Sequence, residues 1–149
     1  ILQEQFHRFI EATKASVPRD APPDQQAADL IRTYFWFLAE NPSFVRLLGW
    51  ETLNLGAREG RALDPVAARG VPAIEGILSR GVEQGLFRAD LDIRRLIMSV
   101  SGLCLGVFNR MHGLRDLWHD DLSDPAVLEA TLEHILKLIF SGIRTHPTT

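Results

Sequence analysis

The sequence predicts an all-α domain, a six-helix bundle with orthogonal and antiparallel packing. Two observations carry that expectation. Apolar residues recur at helical spacing between Asx-Pro pairs, and no stretch alternates apolar and polar residues as a half-buried strand does. A length of 149 residues, 46% hydrophobic and 23% charged, is one ordinary domain. It suffices to bury roughly two thirds of the surface its unfolded form exposes.

The first helix is expected over residues 1–16. The second, over 24–40, follows Pro22-Pro23-Asp24 and carries one stripe of Ala27, Leu30, Ile31, Tyr34, Phe37 and Leu38, with Trp36 pointing away. The third, 42–57, starts at Asn41-Pro42, where an Asx side chain accepts an orphan N–H and proline occupies the first turn. Asp64-Pro65 opens a fourth helix over 65–84. Pro72, with Gly70 before it, kinks that helix or delays its start, and Gly85 closes it as a left-handed residue. The fifth spans 92–113, and the sixth, 125–144, follows Asp124-Pro125. Two polar loops remain, Arg58–Leu63 and Leu114–Asp124, the second solvated through Asp116, Asp120, Asp121 and Asp124.

The last two helices hold more apolar surface than one core uses. Leu96 to Phe108 runs LIMSVSGLCLGVF without a charge. A membrane span needs about 20 apolar residues, so this is a helix buried nearly all round. Its bulky residues Ile93, Ile97, Val100, Cys104, Phe108 and Met111 fall opposite a small-residue side of Ser99, Gly102, Gly106 and Gly113. In the sixth, Leu128, Leu132, Ile135, Leu136, Ile139 and Ile143 form one stripe, widened by Val127, Thr131, Leu138 and Gly142, with a Glu133–Lys137 pair on the polar face. Exposed, such surface would exceed the few hundred Å² that monomers tolerate. The expectation is therefore a homodimer in which these two helices meet their copies as a four-helix bundle. The contact set is Leu96, Ser99, Leu103, Gly106, Leu128, Thr131, Leu132, Ile135, Leu138 and Ile139.

Catalytic and metal chemistry finds little support. The five histidines stand apart, and Glu4 with His7 makes only half of a di-iron motif. Cys104, the single cysteine, excludes a disulfide framework and reads as a packed, inert thiol. No cofactor is expected, and the protein is not read as an enzyme. A net charge of −3 supplies no basic excess for holding nucleic acid. The single cysteine, the absence of a signal segment and the opening Ile1-Leu2-Gln3 suggest a cytoplasmic piece of a longer protein.

Aromatic residues are the better lead. Phe6, Phe9, Tyr34, Phe37, Phe44, Trp50 and Phe108 fall on inward faces of four helices. Residue by residue they read as ordinary core; together they offer the wall of an apolar cavity. The expected lining is Phe9, Tyr34, Phe37, Leu38, Leu47, Trp50, Ile74, Leu78, Ser101, Cys104 and Phe108. Tyr34, Asn54, Ser101 and the Trp50 N–H are the candidate polar anchors. Trp50 emission would then report binding, with Trp36 and Trp118 as bystanders.

YFWFLAENPSFVRLLGWE (Tyr34 to Glu51) and ILSRGVEQGLFRADLD (Ile77 to Asp92) resemble the C-terminal, ligand-binding domain of TetR-family transcriptional regulators. Gly81, Gly85, Phe87, Arg88, Asp90 and Asp92 fit the family's turn into its first dimerisation helix. The resemblance covers essentially the whole chain, as a single effector-binding and dimerisation domain over 1–149. It lacks the family's N-terminal helix-turn-helix, and residues 1–16 resemble the remainder of the connecting helix. The resemblance implies a homodimer that binds a small apolar or weakly polar effector, reaches DNA only through the N-terminal domain and uses no membrane. Two other readings fit the same residues: a ligand-free helical dimerisation module, and, more distantly, an all-α enzyme or metal bundle. A cavity of at least ~300 Å³ between helices one to five separates the effector-binding reading from the ligand-free module.

Lacking a basic face and a recognition helix, this chain alone is expected to show no sequence-specific DNA binding. Fluorescence anisotropy with a labelled duplex checks this, and saturable binding that survives competitor DNA contradicts it.

Overall fold

The chain's structure, a computed structural model, describes residues 2–54 and 64–146. They form seven helices: α1 (Leu2–Ser16), α2 (Pro23–Glu40), α3 (Pro42–Asn54), α4 (Asp64–Glu83), α5 (Ile93–Asn109), α6 (Met111–Trp118) and α7 (Pro125–Ile143). The described residues contain no strand, and Phe87 and Arg144 make one isolated antiparallel bridge. The expected loop Arg58–Leu63, the end of the 42–57 helix and the side chains of Asp64 and Asn54 lie outside the described residues.

Prolines and Asx residues set the helix ends, with one exchange of roles. Asp92 Oδ1 accepts the Arg95 N–H at 3.1 Å, and Asp124 Oδ1 the Ala126 N–H at 2.9 Å. Asn41 instead turns backwards, its amide donating to the Phe37 carbonyl at 2.8 Å. A single residue separates α2 from α3, so that amide lies beside the orphan carbonyls of the helix it follows. Its own carbonyl accepts from Phe44 and Val45 and starts α3. Pro72 lies inside α4 and does not delay its start.

α2 packs against α1, α3, α4, α5 and α7. Phe35 and Leu38 are sealed from solvent, each burial contributing about 1.5–3 kcal/mol. Phe35 lies outside the stripe expected from the sequence because it faces Phe108 of α5, ring centroids 5.1 Å apart. Flanked on several sides, α2 buries more than one stripe.

The α4–α5 corner shows what each residue of the turn does. Gly85, at φ +74°, takes the left-handed position after α4. Its N–H bonds the Val82 carbonyl at 3.0 Å and the Leu86 N–H bonds the Gly81 carbonyl at 2.9 Å, the paired closure of a Schellman motif. The buried Phe87 ring lies against Gly81 where a Cβ would sit. Arg88 forks onto both Asp90 oxygens at 3.1 and 2.8 Å and reaches the Gly142 carbonyl at 3.3 Å. The Arg88 N–H bonds the Ile143 carbonyl at 2.8 Å, so the corner is stitched to the end of α7.

Four expectations are corrected. The 92–113 helix is broken at Arg110 (φ −106°, ψ 1°), and α6 follows where a polar loop was expected. Met111, Leu114, Leu117 and Trp118 supply the helical period that the nearby aspartates obscured. α5 is not buried all round, since Met98, Ser99, Gly102 and Leu103 are exposed and a Cβ on Gly102 or Gly106 would meet nothing. On α7, the expected contact residues Leu128, Leu132, Ile135 and Ile139 lie in the chain's own core. A neighbouring strip, Ala130, His134, Leu138 and Gly142, faces outward with half-buried Thr131. Glu133 pairs with Arg32 of α2 at 2.6 Å rather than with Lys137, and Glu129 joins at 3.3 Å.

Gly81→Ala would force a methyl into the Phe87 ring and is expected to cost about 1–3 kcal/mol, the range for overpacking. Gly85→Ala, in open space but at positive φ, should cost about 1–2 kcal/mol. Urea unfolding of both variants checks the two values.

Candidate functional site

A cavity of about 410 Å³ lies among α1, α2, α4 and α5, with α3 and α7 adding to its lining. Close-packed interiors leave few voids larger than a water, whereas ligand pockets typically span ~300–1,000 Å³. The helical period builds each wall. α1 contributes Phe6, Phe9 and Ile10, and α2 contributes Ala27, Leu30, Ile31 and Tyr34, four positions on one face. α4 supplies Gly70, Val71, Ile74, Ile77 and Leu78, and α5 supplies Leu96, Ile97, Val100, Ser101 and Leu105. Leu48, Ile139 and Ile143 complete the lining.

Tyr34 and Ser101 bring the polar side chains of this wall. Their hydroxyl oxygens are 3.3 Å apart, bridging α2 to α5, and the Tyr34 ring meets Phe9 edge-on with centroids at 5.4 Å. Burial pushes the Tyr34 phenol up to about 12, against the smaller downward pull of the Ser101 hydrogen bond and with a small upward contribution from Cys104. Cys104 is sealed in the core behind this wall, and burial likewise pushes its thiol up to about 12. A thiol with so little thiolate is inert.

Of the expected lining, the structure brings together Phe9, Tyr34, Ile74, Leu78 and Ser101. Phe37, Leu38, Leu47, Trp50, Cys104 and Phe108 do not line the cavity. Phe37 stacks between Phe9 and Phe44 at 5.4 and 5.3 Å, and Phe6 closes on Phe44 at 5.0 Å. These rings pack α1 onto α2 and α3, and Phe108 packs on Phe35, so Phe37 and Phe108 are held in the packing, while Phe6 and Phe9 also face the cavity. Leu38 is core, Leu47 is half-buried against it, and Trp50 is 55% exposed, unsuited to reporting on the cavity. Sequence reasoning missed Leu96 as cavity wall, together with Ile97 and Val100. Their signal was aliphatic residues on α5 in register with those of α4, which an emphasis on aromatics passed over.

Glu4 and His7 are exposed on α1. Among the described residues, no group of three or more His, Cys, Asp or Glu side chains is placed to hold a metal ion. No helix among them is long and apolar enough to cross a membrane.

The family model described as "Tetracyclin repressor-like, C-terminal domain" matches residues 23–139, spanning α2 to most of α7. The chain belongs to this family. Among curated proteins, the TetR-family domain is 28% identical over 147 residues to the HTH-type transcriptional repressor NicS of Pseudomonas putida, covering 97% of this chain and 69% of that protein. Among solved structures it is similar to the ketosteroid transcriptional regulator KstR2 of Mycobacterium tuberculosis, with a TM-score of 0.69 and 14% identity, over 97% of this chain and 68% of the other. That likeness carries the all-α fold of a TetR regulator. The role is transcription regulation.

The cavity's interior is testable by light, because Tyr34 is the chain's only tyrosine. The fold favours the neutral phenol. Above pH 10 the unfolded chain ionises while the folded one does not, so this contribution to stability is complete below pH 10 and is lost as pH rises towards about 12. Phenolate absorbance at alkaline pH should therefore have its midpoint near 12 in the native domain and near 10 in urea. Coincident midpoints would place Tyr34 in water.

Proposed function

We propose that this TetR-family domain binds a small, largely apolar effector in the cavity among α1, α2, α4 and α5 and forms a homodimer through the outward faces of α5 and α7. The observation that carries the reading is the cavity itself, about 410 Å³ with walls of aliphatic and aromatic side chains. A filled core, as a ligand-free dimerisation module requires, would have no such volume. Regulation would follow from linkage: α1 contributes Phe6, Phe9 and Ile10 to the wall, so an effector that favours one placement of α1 biases that placement by its differential affinity. We further propose that a helix-turn-helix domain joined to α1 reads the DNA; the Pseudomonas putida relative is named an HTH-type transcriptional repressor.

The dimer reading rests on two adjacent strips. Met98, Ser99, Gly102 and Leu103 of α5, and Ala130, His134, Leu138 and Gly142 of α7, are exposed, and α5 packs on α7. Of the contacts expected from sequence, Ser99, Leu103, Gly106, Thr131 and Leu138 stay in this proposed interface. Leu96 moves to the cavity wall, and Leu128, Leu132, Ile135 and Ile139 belong to the core. A two-fold axis would bring the glycine-rich strip against its copy with close backbone approach.

Sedimentation at micromolar concentration should give about twice 16.7 kDa. Gly102→Arg, into open space, should keep the helical circular dichroism and give a monomer. A monomeric unmodified chain would refute the dimer. N-phenyl-1-naphthylamine, an uncharged dye dark in water, should bind saturably at one per chain, and Val100→Trp should fill the cavity and remove that signal without loss of helicity. An unmodified chain that leaves the dye dark would refute the effector site.

A further inference from the structure

We infer that the effector is an uncharged molecule whose apolar body carries a hydroxyl or carbonyl oxygen, held by the Tyr34–Ser101 hydroxyl pair. The inference rests on reading the cavity as the effector site, and narrows what enters it.

Charge is disfavoured by the walls and by the commitments of nearby ions. Apart from Tyr34 and Ser101, the lining side chains are aliphatic, aromatic or glycine, and an ion moved among them loses its hydration without gaining a partner. Arg32 of α2 and Arg80 of α4 are engaged elsewhere. Arg32 pairs with Glu129 and Glu133 across α7, and Arg80 donates to the Gln26 amide oxygen at 3.2 Å. Glu75 of α4 faces Arg94 at 3.8 Å. The buried phenol resists ionisation, so Tyr34 stays a neutral donor at physiological pH rather than a counter-ion for an ammonium group.

The hydroxyl pair supplies the specificity. It holds two hydrogens, and one bridges the 3.3 Å between the oxygens. The hydroxyls of Thr13, Thr33 and Thr131 are spent on carbonyls one helical turn back, at 2.9, 2.8 and 2.8 Å. Ser101 makes no such bond among the described residues, so whichever hydroxyl donates within the pair, the other keeps a hydrogen for the cavity. A ligand oxygen satisfies that donor, a hydroxyl group can also donate in return, and a pure hydrocarbon leaves it unpaired.

Two matched series test this. N-phenyl-1-naphthylamine and its sulfonate relative 8-anilinonaphthalene-1-sulfonate differ in charge, and the sulfonate should bind at least about tenfold more weakly. Cyclododecanone and cyclododecanol should then displace the neutral dye about tenfold better than cyclododecane, the expected worth of one buried hydrogen bond left unmade, and better than cyclododecanecarboxylate, whose charge loses its hydration. Tyr34→Phe and Ser101→Ala should lower the affinity of the ketone and alcohol towards that of the hydrocarbon, leaving the hydrocarbon's own affinity within about twofold. A sulfonate or carboxylate that binds as tightly overturns the neutral assignment while the effector site stands. Equal affinity for ketone and hydrocarbon, or variants that do not discriminate between them, overturns the hydroxyl anchor. Absence of all dye binding sinks the effector site and this inference together.

Discussion

The burial of α2 on several flanks at once is the constraint from which the rest of the domain follows. A helix with neighbours on most of its circumference must be apolar over most of it, and α2 meets this with Ala27, Ile31, Phe35, Phe37 and Leu38. Phe35 and Leu38 fix it to the bundle, while Phe37 joins the aromatic seam that carries α1 and α3. The remaining face, Ala27 to Tyr34, lines the cavity, while α2 still touches α4 through Gln26 and Arg80 and α5 through Tyr34 and Ser101. One helix therefore serves as the mast of the domain and as a cavity wall, and the packing on its closed faces keeps the open one from collapsing.

The corner residues that carry the family resemblance have structural work to do. Gly81 makes room for Phe87, Gly85 takes the left-handed turn, Arg88 ties Asp90 to the end of α7, and Asp92 caps α5. None of them lines the cavity. Family membership is thus written in the joints of the fold, whereas the cavity wall is built from the aliphatic faces of α4 and α5 and the Tyr34–Ser101 pair. Residues of the wall can therefore change without disturbing the corner that holds the fold.

Punctuation was the most legible part of the sequence. Asp92, Asp124 and the prolines mark helix starts by chemistry local to a few residues, so they survive translation into three dimensions. The break at Arg110 was hidden, because nothing in the residues around it forbids helix, and the aspartates beyond it disguised the short α6. Apolar periodicity located the cavity's helices but did not distinguish a filled contact from an open one, and five of eleven expected lining residues fall on the wall. For α7 the period revealed an apolar arc too wide for one partner. It did not say that Leu132 and Ile135 face inward while Leu138 and His134 face out, since that rotation depends on which side of α7 meets α2 and α5.

The stitching of the α4–α5 corner to α7 also shapes the route to the native state. Its bonds join residues 54 to 60 positions apart, in a protein whose helices otherwise form from neighbours in sequence. Single helices assemble in about a microsecond, but a loop of this length closes only against an entropy that grows with the logarithm of its span. Docking α7 at this corner closes such a loop, as the Tyr34–Ser101 contact closes one of 67 positions. Until residues 142–145 reach the corner, α7 presents both its core stripe and its outward strip to water, so newly made chains are most prone to associate wrongly in that interval.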